Sequence, residues 1–316
     1  MANGKLIALE FNELCPELLE RWMAEGELPN FARFHGASDV FTAVADELGP
    51  DNLEPWIQWY SMHTGLAYRQ HGVRNLADGP LAPNAGVWQL LAKHGLKDAN
   101  CSSMNASGVR APGALFVPDP WCVNETPYPD EWTRYHRVVA GLVQENSTAS
   151  AGELERGDYV RFASFLATHG LRPRTLRNLA AQLMSDTVFR RPTRWKRAAM
   201  LDQIQLDVFR HHWLKARPDY SSFFLNSTAH FQHAFWHCAF PEQFPDPPAP
   251  AEQEQFGSAI LYGYKQMDRL LGDLFDLERH GAVLVLCTAL SQQGRGRSDL
   301  VYYRLKDAAA LLRACG

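Results

Sequence analysis

Cysteine is sparse in this chain and unpaired in pattern. Six cysteines in 316 residues (Cys15, Cys101, Cys122, Cys238, Cys287, Cys315) are scattered with no Cys-x-x-Cys pair, which argues against both a zinc ribbon and a disulfide-stapled scaffold. A long apolar run is lacking too. The first one, residues 6–9, is broken at once by Glu10 and is too short for a signal h-region or a membrane span. The expectation is a cytoplasmic protein with no membrane partner. Charge of one sign is lacking as well: a net −4 gives no reason to expect nucleic acid. A small anionic substrate stays open, because local Arg and His can outweigh a mild global charge. Internal repeats and low-complexity tracts are absent, and nothing in the sequence sets the oligomeric state.

What is present is the composition of a soluble globular protein, 46% hydrophobic and 21% charged, long enough to bury a large core as one elaborate α/β domain or a domain with a cap. Short apolar runs at 5–9, near 99–103, at 222–225 and at 282–287 read as strands. Helical patterns lie between them at 16–25, 29–35, 87–94 and 253–280, with a last one at 307–314. Pro16 and Pro29 suit first helical turns, and Gly95 and Gly281 suit helix stops. Strands alternating with helices predict a mostly parallel sheet flanked by helices. From 131 to 216 the pattern is helical, notably at 176–188 and 195–214, without a convincing strand. That divides the chain into an α/β core (1–130 and 217–316) and a helical insertion or cap (131–216). Residues 104–130 read as a long ordered loop, of the kind that often carries function, and 241–250 as a Pro-rich loop.

Polar clusters follow the predicted strands, where open α/β sheets place their sites. Glu10-Phe-Asn12-Glu13 comes directly after the first strand and offers carboxylates for a divalent cation or a general base, or simply a helix cap and dipole partner. In Asn52–Gly65, Pro55 predicts a helix start, and Glu54, Gln58 and Ser61 share one face at three- to four-residue spacing. His63 and His71, taken singly, read as structural histidines. Ala229-His230-Phe-Gln232-His233 sets two imidazoles one helical turn apart, suited to an N/O metal site or to a metal-free base with a positioning partner. Ser291-Gln292-Gln293-Gly294 supplies uncharged groups able to orient hydroxyls or phosphoryl oxygens, and Arg295 and Arg297 could add charge-assisted contacts to an anion.

Several blocks in order resemble the type I phosphodiesterase/nucleotide pyrophosphatase branch of the alkaline phosphatase superfamily. Leu6-Ile-Ala-Leu-Glu10 with Gly26-Glu-Leu-Pro-Asn-Phe is similar to the family's strand ending in Leu-Asp-Gly and its Gly-x-Leu-Pro-Asn-Leu segment. Trp56-x-x-Trp59-x-Ser61-x-x-Thr64-Gly65 with His71-Gly72-Val73 looks like the nucleophile helix and its continuation. Residues 229–236 look like Asp-x-x-x-His-x-x-Trp, and 291–294 like Ser-Asp-His-Gly. The resemblance implies an alkaline-phosphatase-like fold and a two-metal site, but carries over incompletely. Glu10 falls on the first metal-binding aspartate and His233 on a metal-binding histidine. Ala229, Gln292 and Gln293 stand where ligands should be, and Pro55 stands at or near the nucleophile.

The leading expectation is therefore a divergent enzyme acting on a small anionic, phosphorylated substrate, with one divalent metal (zinc, manganese or iron) or none. Glu10, Glu13 and His233 are its candidate metal ligands. His230, His233, Glu54 and Ser61 are its candidate catalytic groups, with Ser61 requiring a shifted geometry. Asn12, Gln58, Gln232, Ser291, Gln292 and Gln293 are its candidate substrate contacts. The rival is a catalytically dead family member that serves as a binding or assembly subunit, motivated by the lost nucleophile and ligands.

Overall fold

The computed structural model describes residues 4–45, 53–144, 154–188, 193–294 and 308–315. Five strands run in parallel: β1 (Lys5–Phe11), β2 (Asp98–Cys101), β3 (Leu115–Val117), β4 (Tyr220–Leu225) and β5 (Ala282–Cys287), in the order β3-β2-β4-β1-β5. The helices in chain order are α1 (Pro16–Ala24), α2 (Pro29–Gly36), α3 (Pro55–Thr64), α4 (Tyr68–His71), α5 (Val87–Lys93), α6 (Thr133–Gln144), α7 (Arg156–Thr168), α8 (Pro173–Thr187), α9 (Arg197–Ala216), α10 (Ser227–Ala239), α11 (Pro250–Phe256), α12 (Ala259–Glu278) and α13 (Ala308–Cys315). The expected parallel sheet flanked by helices is present. No helix among the described residues is long and apolar enough to cross a membrane.

The two faces of the sheet differ in chemistry. On one, Ile7, Leu9 and Phe11 of β1 and Phe223 and Leu225 of β4 join Trp22, Phe209, Trp213, Tyr264 and Leu271 in the largest apolar cluster, so α1, α2, α9 and α12 cover it. At the β2–β3 end, Ala99, Leu115 and Val117 pack against Trp132, Tyr135, Phe165 and Val208. The helices of 133–216 thus share a core with the sheet. The opposite face carries Glu10, Asn100 and Ser222, all buried, beneath the indoles of Trp59 and Trp88. Trp88 Nε1 and Ser103 Oγ both donate to Ser222 Oγ, at 3.2 and 2.7 Å. Polar groups on a face roofed by tryptophan need such mutual satisfaction.

Two differences from the sequence expectation have local causes. The helix predicted over 253–280 breaks at Gly257-Ser258 into α11 and α12, and Ser258 leaves helical geometry at φ −96°, ψ 6°. The loop predicted over 104–130 contains β3, whose three residues pair with β2; so short a strand has no periodicity to read.

Helix α2 has no capping side chain of its own. Pro29 needs no N–H partner there, and the next two N–H groups, of Asn30 and Phe31, both donate to Asp268 Oδ1 of α12 at 2.9 and 2.8 Å, while Asn30 Nδ2 donates to Oδ2. The close approach is permitted by Gly272, where a Cβ would lie 2.8 Å from the Asn30 side chain. Asp268 is thus a cap supplied from another helix. Asp268→Ala should lower unfolding free energy by about 2–3 kcal/mol, the cost of stranding these donors. Asp268→Asn, which keeps an acceptor, should lose less; equal urea midpoints for wild type and Asp268→Ala would contradict the cap.

Candidate functional site

The carboxyl ends of β1 and β4 and the segment after β5 meet at Glu13. The β1–β4 ladder continues one step past the strand, with Asn12 N–H donating to the Leu225 carbonyl at 3.0 Å. The chain then turns through Glu13 at φ 57°, a left-handed conformation that costs a non-glycine residue roughly 1–2 kcal/mol. Glu13 is also 2% exposed, and a buried carboxylate demands partners. It has four close groups. Asn12 Nδ2 reaches Oε1 at 3.2 Å, Gln292 Nε2 donates to Oε2 at 2.5 Å, His233 Nε2 lies 3.0 Å from Oε2, and Gln232 Nε2 donates to the backbone carbonyl at 2.7 Å. Because a carboxylate only accepts, His233 Nε2 carries the hydrogen. Glu13 Oε2 is then shared by two donors, which explains why Gln292 Nε2 also sits 3.2 and 3.4 Å from the two ring nitrogens of His233 without being aimed at either.

His233 stands out from this buried anchor with 60% of its side chain exposed. The hydrogen bond to Glu13 raises its pKa above the ordinary histidine value, with smaller help from the charges of Glu13 and Glu54, against partial desolvation. Glu54, in extended conformation just before α3, is shifted upward, mainly by desolvation and then by the negative charge of Glu13. His230, exposed one turn earlier on α10, is shifted downward by desolvation and by His233. A carboxylate holding one ring nitrogen of an exposed imidazole fixes its orientation and leaves the other nitrogen to meet substrate, the arrangement of an oriented general acid–base.

Behind this lies a second, buried layer. Asn12 Oδ1 accepts from Trp59 Nε1 at 2.7 Å, and Asn12 Nδ2 also donates to Asn226 Oδ1 at 2.8 Å. Gln232 Oε1 accepts from the Tyr264 hydroxyl, which itself accepts from Cys15 N–H, both at 2.8 Å. Asn12 and Gln232, expected to touch substrate, are therefore internal struts, both buried. Glu10 lies fully buried beneath α3, with Oε1 3.0 Å from His63 Nε2, whose ring packs between Trp59 and Trp88. Glu10 Oε2 and His63 Nδ1 find no partner among the described residues.

The other expected residues are placed elsewhere. Helix α3 turns Trp59 and His63 toward the strand ends, and Gln58 is buried on that helix. Ser61 Oγ lies 2.9 Å from His71 Nε2, while His71 Nδ1 accepts from Val73 N–H at 3.0 Å. With Nδ1 occupied as an acceptor, Nε2 carries the proton and donates to Ser61, so His71 is no base for that hydroxyl. Ser291 and Gln293 are exposed, and Arg295 and Arg297 lie outside the described residues.

The metal set inferred from sequence is not assembled. Glu10 Oε1 meets His63, while Glu13 meets Asn12, Gln292 and His233. Among the described residues the three-donor cluster that forms is a different one, His237, Cys238 and Glu252. His63, Trp59 and Asn226 are site residues that local reading missed. The only available signal was the four-residue spacing of Trp59 and His63, which shares a helix face.

No family model matches the sequence, and no curated protein matches it. Among solved structures, phosphonoacetate hydrolase from Sinorhizobium meliloti 1021 in complex with phosphonoformate is similar at 14% identity and a TM-score of 0.45, and the same enzyme in complex with phosphonoacetate at 14% and 0.44. Each covers 91% of this chain, which spans 56% of the length of the solved chain. A likeness of this strength carries no argument about chemistry.

The Glu13–His233 pair makes a direct prediction. Glu13→Gln removes the acceptor charge, so the His233 pKa, followed by its imidazole NMR shifts, should fall toward or below the ordinary value near 6.5. The sign for stability follows. A histidine with a raised folded-state pKa contributes stability that is present below about 6.5 and lost as pH rises through the folded value. An unchanged titration in Glu13→Gln would mean that Glu13 does not hold the imidazole.

Proposed function

We propose that the protein is a metal-independent general acid–base enzyme built on an alkaline-phosphatase-like frame, acting on a small anionic, phosphorylated substrate. The observation that carries this reading is the buried, backbone-strained Glu13 carboxylate holding the exposed His233 imidazole. Strain in a sparsely populated backbone region clusters at functional sites. The frame is supported by the position of the four resembling blocks, whose polar residues fall at the ends of β1, β4 and β5 and on α3. In this reading residues 131–216 are an insertion into a core formed by 1–130 and 217–316.

His233 acts as the base that takes a proton from an attacking water, or, protonated, as the acid that meets a leaving oxygen. Glu13 positions it and stabilises the imidazolium. Gln292 and Gln293 offer amide donors to the phosphoryl oxygens, and His230 offers a second imidazole. Charge narrows the substrate. One imidazolium faces Glu13 and, close by, Glu54, so with both carboxylates ionised the three groups leave an excess of negative charge, and a monoanionic ester is repelled less than a dianion. Phosphodiesters are therefore better candidates than phosphomonoesters, and no serine nucleophile is required.

A binding subunit without turnover is the second reading. It is favoured by the Gln292 amide, which already lies over the His233 ring nitrogens.

Turnover of a panel of phosphodiesters, phosphomonoesters and phosphonates by metal-free protein distinguishes the two. His233→Ala should lower kcat by about 100- to 10,000-fold, the usual contribution of a positioned acid–base. Where His233 acts as base, activity should rise with pH through its raised pKa, and Glu13→Gln should move that inflection to lower pH. Ser61→Ala should leave kcat nearly unchanged. Substrate binding with no turnover at any pH would favour the binding subunit, and loss of activity in Ser61→Ala would overturn the assignment of roles.

A further inference from the structure

We infer that His237, Cys238 and Glu252 form a binding site for a single zinc-type divalent metal ion, at the junction of α10 and α11 and separate from the Glu13–His233 site. His237 and Cys238 lie in the last turn of α10, and Glu252 in the first turn of α11. Their donor atoms are already gathered: His237 Nε2 to Glu252 Oε1 3.4 Å, Cys238 Sγ to His237 Nε2 3.4 Å, and Cys238 Sγ to Glu252 Oε1 3.9 Å. With metal–sulfur, –nitrogen and –oxygen bonds of the lengths zinc prefers, the edges of a tetrahedron come to roughly 3.6 Å for S···N, 3.4 Å for N···O and 3.6 Å for S···O. The three observed separations match that face to within a few tenths of an ångström. Ligand binding would need almost no movement of either helix.

The donor set selects the class of ion. One thiolate, one imidazole and one carboxylate suit zinc, cobalt or nickel, whereas magnesium and calcium prefer all-oxygen cages. Three protein ligands leave a fourth position for water. The imidazole and carboxylate are part-exposed, at 41% and 45% of their side chains, and the thiol is buried behind them. An ion can therefore approach from solvent and close onto the sulfur. Binding displaces the thiol proton, so uptake should weaken as pH falls. Without metal, the same groups amount to a histidine–glutamate contact over a buried thiol. The site owes nothing to the acid–base reading above, since none of its ligands takes part there.

Cobalt(II) is the probe, because thiolate ligation gives it a ligand-to-metal charge-transfer band and tetrahedral geometry gives it intense visible absorption. Protein purified in chelator and titrated with cobalt(II) should take up one equivalent, develop both features, and show a raised Tm. Cys238→Ser should lose the charge-transfer band. His237→Gln and Glu252→Gln, which alter part-exposed side chains and should fold normally, should each weaken binding at least tenfold. His233→Ala should bind as wild type does, which separates this site from the acid–base site. Absence of uptake by the wild type, uptake without thiolate absorption, or equal affinity in His237→Gln and Glu252→Gln would overturn the proposal.

Discussion

The burial of one carboxylate organises the end of the sheet. Glu13 sits in a strained backbone turn and is withdrawn from water, so two penalties act on it. The left-handed conformation costs roughly 1–2 kcal/mol, and desolvation of an ionised carboxylate costs several more. Hydrogen bonds to a charged group return about 1.5–3 kcal/mol each, and the Glu13 carboxylate draws its donors from three segments: Asn12 beside it, His233 on α10, and Gln292 after β5, while Gln232 on α10 donates to the Glu13 backbone carbonyl. Two or three such bonds offset both penalties; one would not. The turn can therefore persist only while β1, α10 and the post-β5 segment are docked together, and those are the elements that surround the exposed imidazole. Positioning of His233 and docking of the sheet end are one constraint.

Much of the frame was legible because it rests on local patterns. β1 and β5 are short apolar runs, β1 in the sheet interior and β5 at its edge with Val283 and Val285 exposed, and Pro16, Pro29 and Gly281 mark helix boundaries through their own backbone chemistry. Gly281 sits at φ +84° between α12 and β5, a turn that glycine enters without strain. What escaped was set by distant partners. His63 reads as an ordinary helix histidine until Glu10, 53 residues away, is brought beneath it. Ser61 has the right spacing to face a cleft, yet the tryptophans of α3 claim the sheet side of the helix, because two large indoles gain more from burial than a hydroxyl does. Gln232 and Asn12 were recognisable as polar residues at strand ends, but whether such a residue points outward to a substrate or inward to a backbone carbonyl is decided by tertiary packing alone.

The Glu10–His63 pair is the second buried carboxylate contact at the sheet end. A fully buried carboxylate needs a hydrogen-bond donor or a cation close by. Here an imidazole clamped between two indoles meets the carboxylate. The location of Glu10 also pushes neighbouring thiols upward: burial and then the charge of Glu10 raise Cys287 to about 11.

Helix α10 divides its residues accordingly. Ala229, Gln232 and Trp236 are buried, and Gln232 braces the turn at Glu13. His230, His233 and His237, at three- and four-residue spacing, form a stripe on the more exposed side. The three imidazoles on this stripe differ in what lies beside each. Desolvation without a carboxylate lowers His230, a buried carboxylate raises His233, and His237 adjoins a thiol and a carboxylate at metal-ligand separations. The same side chain thereby meets three different surroundings within about two helical turns. The difference lies in the second residue that each one meets: nothing charged at 230 except its neighbour, Glu13 at 233, Cys238 and Glu252 at 237. Chemistry along this helix is assigned by partners contributed from β1 and α11, not by the histidines themselves.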